Sequence, residues 1–181
     1  KFTTIIFVAL PIKMEDTITN KVAQSGIVTL DLEKYFPSGE LAFFDLKNYL
    51  FMDLILKEKQ YREDLKKEDW KKFENKNVAI GCSTDAIIPL WAYMLAVSYL
   101  HDFAAEIIFG DEKQLLNTLL LKNIAKINLS EFEGQRVVVK GCGDKKISES
   151  AYVEITKILY PVAKSIMFGE PCSTVPIFKR K

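Results

Sequence analysis

The stretch that decides the fold is Val78–Asp111, VAIGCSTDAIIPLWAYMLAVSYLHDFAAEIIFGD. It opens on a short β-branched run, "VAIG", closed by Gly81. A long apolar segment follows over Ala86–Leu100, with Pro89 placed for the first turn of a helix. A second apolar run, "AEIIFGD" (Ala105–Asp111), again ends at a glycine. Apolar strands bounded by glycine and alternating with helices predict a parallel sheet wrapped by helices.

The alternation continues to the C-terminus. "EKQLLNTLLLKNIAKI" (Glu112–Ile127) reads as a helix, "QRVVVKGCGD" (Gln135–Asp144) as a strand, "SESAYVEITKILYPVA" (Ser148–Ala163) as a helix and "SIMFGEPCS" (Ser165–Ser173) as a fourth strand. No helix follows that strand. Pro171 and Pro176 predict an irregular tail lying over the sheet edge. Before Asn77 the texture differs. Met14–Gln24 has the pattern of a short amphipathic helix stopped at Ser25-Gly26. "IVTLDL" (Ile27–Leu32) and "ELAFFDL" (Glu40–Leu46) read as strands separated by the turn signal Phe36-Pro37-Ser38-Gly39. "KNYLFMDLIL" (Lys47–Leu56) is apolar throughout and reads as a buried helix. Residues 58–74 form a charged surface helix, broken near Glu68-Asp69, with Tyr61, Leu65, Trp70 and Phe73 on one face. The expected architecture is α/β: one domain over residues 14–181, with a mainly parallel sheet and the N-terminal strands added at its edge. Residues 1–13 read as an upstream extension, a translation-start artefact or an added strand.

Composition narrows the function classes. The 181 residues are 49% hydrophobic, enough for a full core, and Lys+Arg 25 against Asp+Glu 24 leaves no basic excess for nucleic acid or an anionic membrane. The apolar run Ile5–Leu10 is too short to span a bilayer, which needs about 20 residues. Three dispersed cysteines do not make a disulfide framework, so the expected location is a reducing cytoplasm.

The cysteine positions are the informative chemistry. Cys-Ser-Thr occurs at Cys82 and again at Cys172, but the steps from Cys82 to Cys142 and from Cys142 to Cys172 are 60 and 30 residues. A βα unit takes about 30 residues, so the spacing predicts all three thiols at the carboxyl ends of strands, on one edge. Open α/β sheets bind ligands at that edge. Three thiolates, with Asp111 or Glu170 as a helper, would suit zinc, iron or an iron–sulfur cluster. Asp144 occupies a similar turn. A second reading is a thiol enzyme or sulfur carrier using Cys82, with Ser83, Thr84 and Asp85 as N-cap candidates that would open a helix beside the thiol. The third is an interaction protein whose cysteines are structural. His101 falls at the far end of the helix after Cys82, on the opposite edge, which removes Cys-His and Ser-His-Asp catalysis. "KGCGDKK" (Lys140–Lys146) lets a ligand approach the backbone closely but has neither dinucleotide nor P-loop spacing.

Several segments together resemble the bacterial family DUF2480, a family of unknown function. They are "VAQSGIVTLDLEKYFPSGE", "FDLKNYLFMDLILKEKQYRE", "VAIGCSTDAIIPLWAYML", "VVVKGCGDKKISESAYVEITK" and "KSIMFGEPCSTVPIFKRK". The likeness runs from about Met14 to Lys181 and leaves residues 1–13 outside. Because the family's genes lie near those of the SUF system, the resemblance implies a supporting role in iron–sulfur cluster biogenesis, with assembly proteins as partners. It assigns no catalytic residue.

Overall fold

A computed structural model describes residues 26–141 and 143–181. The expected helix over Met14–Gln24 and the thiol of Cys142 therefore lie outside the described residues. The class is α/β, as the alternation predicts, but the strands are divided between two main sheets.

The first sheet has the order β2-β5-β6, formed by Leu41–Asp45, Asn77–Gly81 and Glu106–Phe109, all parallel. The second has the order β1-β7-β8-β9, formed by Ile27–Asp31, Arg136–Lys140, Ser165–Glu170 and Ser173–Lys179. Its first three strands are parallel, and β9 runs antiparallel to β8. β5 is buried along its whole length and Val137–Val139 of β7 are buried, which explains their unbroken apolar sequences. Among the described residues four α-helices accompany the sheets: α1 (Glu58–Lys67), α2 (Leu90–Leu100), α3 (Glu112–Ala125) and α4 (Glu149–Leu159).

The two sheets are copies of one unit. Residues 69–111 repeat at 128–170, a step of 59 residues (128 − 69 = 59). Each copy begins with a 3-10 turn capped by a side chain, Asp69 accepting from Lys71 N and Asn128 from Ser130 N. Each continues through a left-handed residue, Asn75 or Gly134, whose N–H bonds the carbonyl of Phe103 or Val162. In each a tyrosine of the helix meets a phenylalanine of the last strand edge-on. The pairs are Tyr93–Phe109 at 5.4 Å and Tyr152–Phe168 at 5.6 Å. A glycine at positive φ, Gly110 or Gly169, closes the unit. A shorter repeat precedes both: Leu30–Tyr35 and Phe44–Tyr49 each end a strand on an aspartate that caps a 3-10 turn. β1 then joins the second copy and β2 the first, in the same register.

α3 ties the halves together. Leu115 and Leu119 pack on Ala79 of the first sheet, while Leu120 and Ile124 join the core over the second. Its two apolar sides suit a helix covered on both.

Two segments differ from expectation. Lys47–Leu56 is not a buried helix: after the 3-10 turn Leu46–Tyr49 it forms the hairpin β3 (Leu50–Phe51) and β4 (Ile55–Leu56). No residue of Lys47–Leu56 is fully buried, and Phe51, Met52, Leu54 and Ile55 are exposed. The tail after Cys172 is not irregular but the strand β9. Pro176 is tolerated because β9 is an edge strand, with a register shift between Ile166 and Met167.

Candidate functional site

The carboxyl edges of the two sheets are built alike and carry different chemistry. At the first, the Asp45 carboxylate accepts from Lys47 N at 3.0 Å, Ser83 N at 3.0 Å and Ser83 Oγ at 2.5 Å. Burial works to raise this carboxyl, but the Ser83 and Lys47 hydrogen bonds hold it below its ordinary value. Ser83 is thus committed to β2 and does not cap a helix; α2 begins at Leu90 behind Pro89, with no side-chain cap, so Asp85 does not cap it either. Cys82 is half-buried and packs against the aromatic core that contains Phe44, Tyr61 and Trp70. Burial, then the nearby Cys82, raises the Tyr93 phenol.

At the second edge Lys140 pairs with Glu170 at 3.2 Å, and Glu170, then Asp31 and Glu33, raise the Lys140 ammonium. Gly141 receives the Tyr152 hydroxyl on its carbonyl at 3.0 Å, and Gly143 lies against the Glu33 carboxylate, where a methyl group would collide. The Glu33 Oε1 atom is buried with no hydrogen-bond partner among the described residues.

The expected metal ligands are not gathered on one sheet. Cys82 follows a strand of the first, whereas Cys172 stands exposed in the β8–β9 turn of the second. Asp111 is the N-cap of α3, in a capping box with Gln114. Glu170 is the partner of Lys140. Among the described residues no three His, Cys, Asp or Glu side chains form a group that could hold a metal. The true repeat also changes how the cysteine spacing reads. A step of 59 aligns Cys82 with Gly141 and Ser83 with Cys142, so the two Gly-Cys pairs are one residue out of register. His101 sits at the C-terminal end of α2 as expected, exposed and 3.6 Å from the Asp102 carboxylate.

Among the described residues, two surface clefts lie close to these edges. One, of about 870 Å³, lies between the starts of α3 and α4, where Ser148 and Ser150 both donate to Asn117 Oδ1. Lys113 and Lys146 line it together with Asp111, Glu112 and Glu149, so its charges are mixed. The other, of about 500 Å³, runs between the β3–β4 hairpin and the loop before α2. Leu54, Ile55, Leu56, Ala86, Ile87 and Pro89 line it, and Asp85 is the charged residue in its wall.

The second cleft continues onto an apolar surface. Ile87, Leu90 and Met94 are 95%, 80% and 73% exposed. α2 carries no charged residue, and of its exposed positions Leu90, Met94 and Ser98 only the last is polar, a pattern closer to that of a covered helix than of a surface one. The second copy supplies a control. Along α2 and α4 the buried, half-buried and exposed positions coincide residue by residue, with Ala92, Ala96 and Leu100 matching Ala151, Ile155 and Leu159 in the core. At the positions of Ile87, Leu90 and Met94, the second copy carries Lys146, Glu149 and Val153. In sequence α2 reads only as a long apolar helix, with nothing singling out this face; the signal for it is the helix's lack of any charge.

The architecture is that of a duplicated α/β protein with an open apolar groove on one copy. The family model for the protein of unknown function DUF2480 matches residues 16–180, and the chain belongs to that family. Neither a curated protein nor a solved structure matches it. Among the described residues no helix is long and apolar enough to cross a membrane.

Proposed function

We propose that this protein acts by binding and not by catalysis: it docks an amphipathic segment of a partner protein along the groove beside α2, as an accessory in iron–sulfur cluster assembly. The carrying observation is the pair of helices with identical burial and different outer faces. Ile87 and Leu90 are exposed where the second copy has Lys146 and Glu149. Folding of the unit does not require apolar residues there, since α4 folds with charges. Large exposed apolar patches mark interaction sites, and Asp85 favours a partner segment bearing a lysine or arginine on its polar side. The accessory role follows what the family resemblance implies.

The test is titration of this protein with the purified iron–sulfur assembly proteins of its own host. Saturable binding that Leu90→Glu abolishes, with cluster enzymes under-loaded in cells carrying Leu90→Glu, supports the reading. Absence of binding to every assembly protein, or binding that Leu90→Glu leaves intact, overturns it.

A second reading, zinc or iron held by Cys142 with Glu33, draws on the buried Glu33 Oε1, which has no hydrogen-bond partner among the described residues and lies against Gly143, the residue that follows Cys142 in sequence. Protein purified without oxygen would carry stoichiometric metal, lost in Cys142→Ser and in Glu33→Gln. Metal-free parent protein sinks this reading.

A further inference from the structure

We infer that the larger cleft, between the starts of α3 and α4, is a binding site for a short zwitterionic peptide with both termini free. The 59-residue repeat extends back beyond residue 69: Tyr61 and Leu65, the buried residues of α1, match Leu120 and Ile124, buried in α3. Under the same step the two clefts occupy one place in the repeated unit. Leu54, Ile55, Ile87 and Pro89 of the apolar groove correspond to Lys113, Gln114, Lys146 and Ser148, which line the larger cleft. The unit forms a cleft here in both copies, and its wall has changed from apolar to polar at each of these four positions. Segments that follow β1, β6 and β7 meet there, beyond the carboxyl ends of their strands, where α/β sheets bind ligands.

The chemistry of the wall names the ligand. Asp111 is committed to the capping box of α3, which leaves Lys113 and Lys146 with Glu112 and Glu149, two charges of each sign. Complementarity favours a molecule that itself carries both signs over a simple anion or cation. Between these charges, Ser148 Oγ at 2.6 Å and Ser150 Oγ at 2.7 Å both donate to Asn117 Oδ1. The Asn117 amide N–H groups have no acceptor among the described residues and can donate to a ligand carbonyl, while the serine oxygens can accept from a ligand N–H. The first copy has Glu58, Pro89 and Trp91 at these three positions and no such cluster. Carbonyl and N–H groups strung between opposite charges are the features of a short peptide with free ends. A volume of about 870 Å³ lies in the range of small-molecule sites and has room for more than one amino acid.

The test is titration of the full, isotope-labelled chain with random-sequence tripeptides carrying free termini, read as backbone amide shifts by NMR. The expected result is saturable shifts at residues 111–117 and 146–150. N-acetylating the tripeptides, or amidating their carboxyl ends, each weakens binding by about fivefold or more, the worth of one exposed ion pair. The double variant Lys113→Leu with Lys146→Ile gives the cleft the first copy's residues and abolishes the shifts. Circular dichroism establishes that this variant is folded; if it is not, the capped tripeptides decide. Absence of shifts at millimolar tripeptide overturns the proposal, as do shifts confined to residues outside the cleft or full binding by the double variant. Equal binding of the N-acetylated form would assign the cleft to the C-terminus of a protein chain, and equal binding of the amidated form to an N-terminus; either overturns the zwitterion. None of these outcomes depends on whether the groove beside α2 binds a partner.

Discussion

Asp45 and Ser83 are joined twice, through the serine's N–H and its hydroxyl, and the pair fastens β2 to the loop after β5. Because these bonds favour the charged carboxylate, Asp45 sits below its ordinary value, and burial alone would have done the opposite. Its contribution to stability is complete above the unfolded carboxyl value, about 4. It is lost as pH falls through the lower folded value. Ser83→Ala should therefore cost about 1 kcal/mol at neutral pH, with the difference shrinking in acid. Urea unfolding of parent and variant at pH 7 and pH 3 measures it; a difference that grows in acid would contradict the assignment.

The paired closing glycines make a graded prediction. Gly110 and Gly169 have φ of +129° and +120°, a region that costs a side chain about 1–3 kcal/mol. An added methyl at Gly169 meets the backbone carbonyl oxygen of Ser173 at 2.6 Å, whereas at Gly110 it meets the side chain of Gln114. Backbone in a paired strand cannot move aside as a side chain can. Gly169→Ala should destabilise more than Gly110→Ala, and Gln114→Ala should relieve part of the Gly110→Ala loss. Denaturant midpoints of the four proteins settle the order.

The tip of the β3–β4 hairpin is strained. Met52 and Asp53 both take positive φ, 53° and 58°, where hairpin turns favour Asn-Gly. The exposed Met52 gains nothing from core packing in return. Replacing the pair with Asn-Gly should raise stability by about 1 kcal/mol, read from thermal unfolding. Unchanged or lowered stability would show that the hairpin is held by something other than its own turn.

Much of this architecture was legible from local pattern. Gly-bounded apolar runs located β5 to β8, and the Glu68-Asp69 break separates α1 from the Trp70–Phe73 turn. Asp111 has the sequence of an N-cap and is one. The misses have physical causes. Lys47–Leu56 is an apolar run whose periodicity does not separate helix from hairpin; the pairing of Phe51 with Ile55 decides it. Pro176 hid β9, because proline argues against a strand unless an edge is already known. The partition into two sheets depends on β1 choosing β7 and β2 choosing β5, long-range pairings that no local window contains. The 59-residue repeat was masked by the cysteines, whose 60-residue step is one position out of register with it. It survives in the sequence as the shared Tyr93/Tyr152, Phe109/Phe168 and Gly110/Gly169.

The central claim is that the outer face of α2 is kept apolar for binding and not for folding. Its most direct measurement is the unfolding free energy of a variant that grafts the second copy's residues onto the first: Ile87→Lys, Leu90→Glu and Met94→Val together. Since these side chains project into solvent, the account predicts stability within about 0.5 kcal/mol of the parent, as for ordinary surface changes. A loss of about 2 kcal/mol or more, the range of core substitutions, would show that the face belongs to the fold and would contradict the claim.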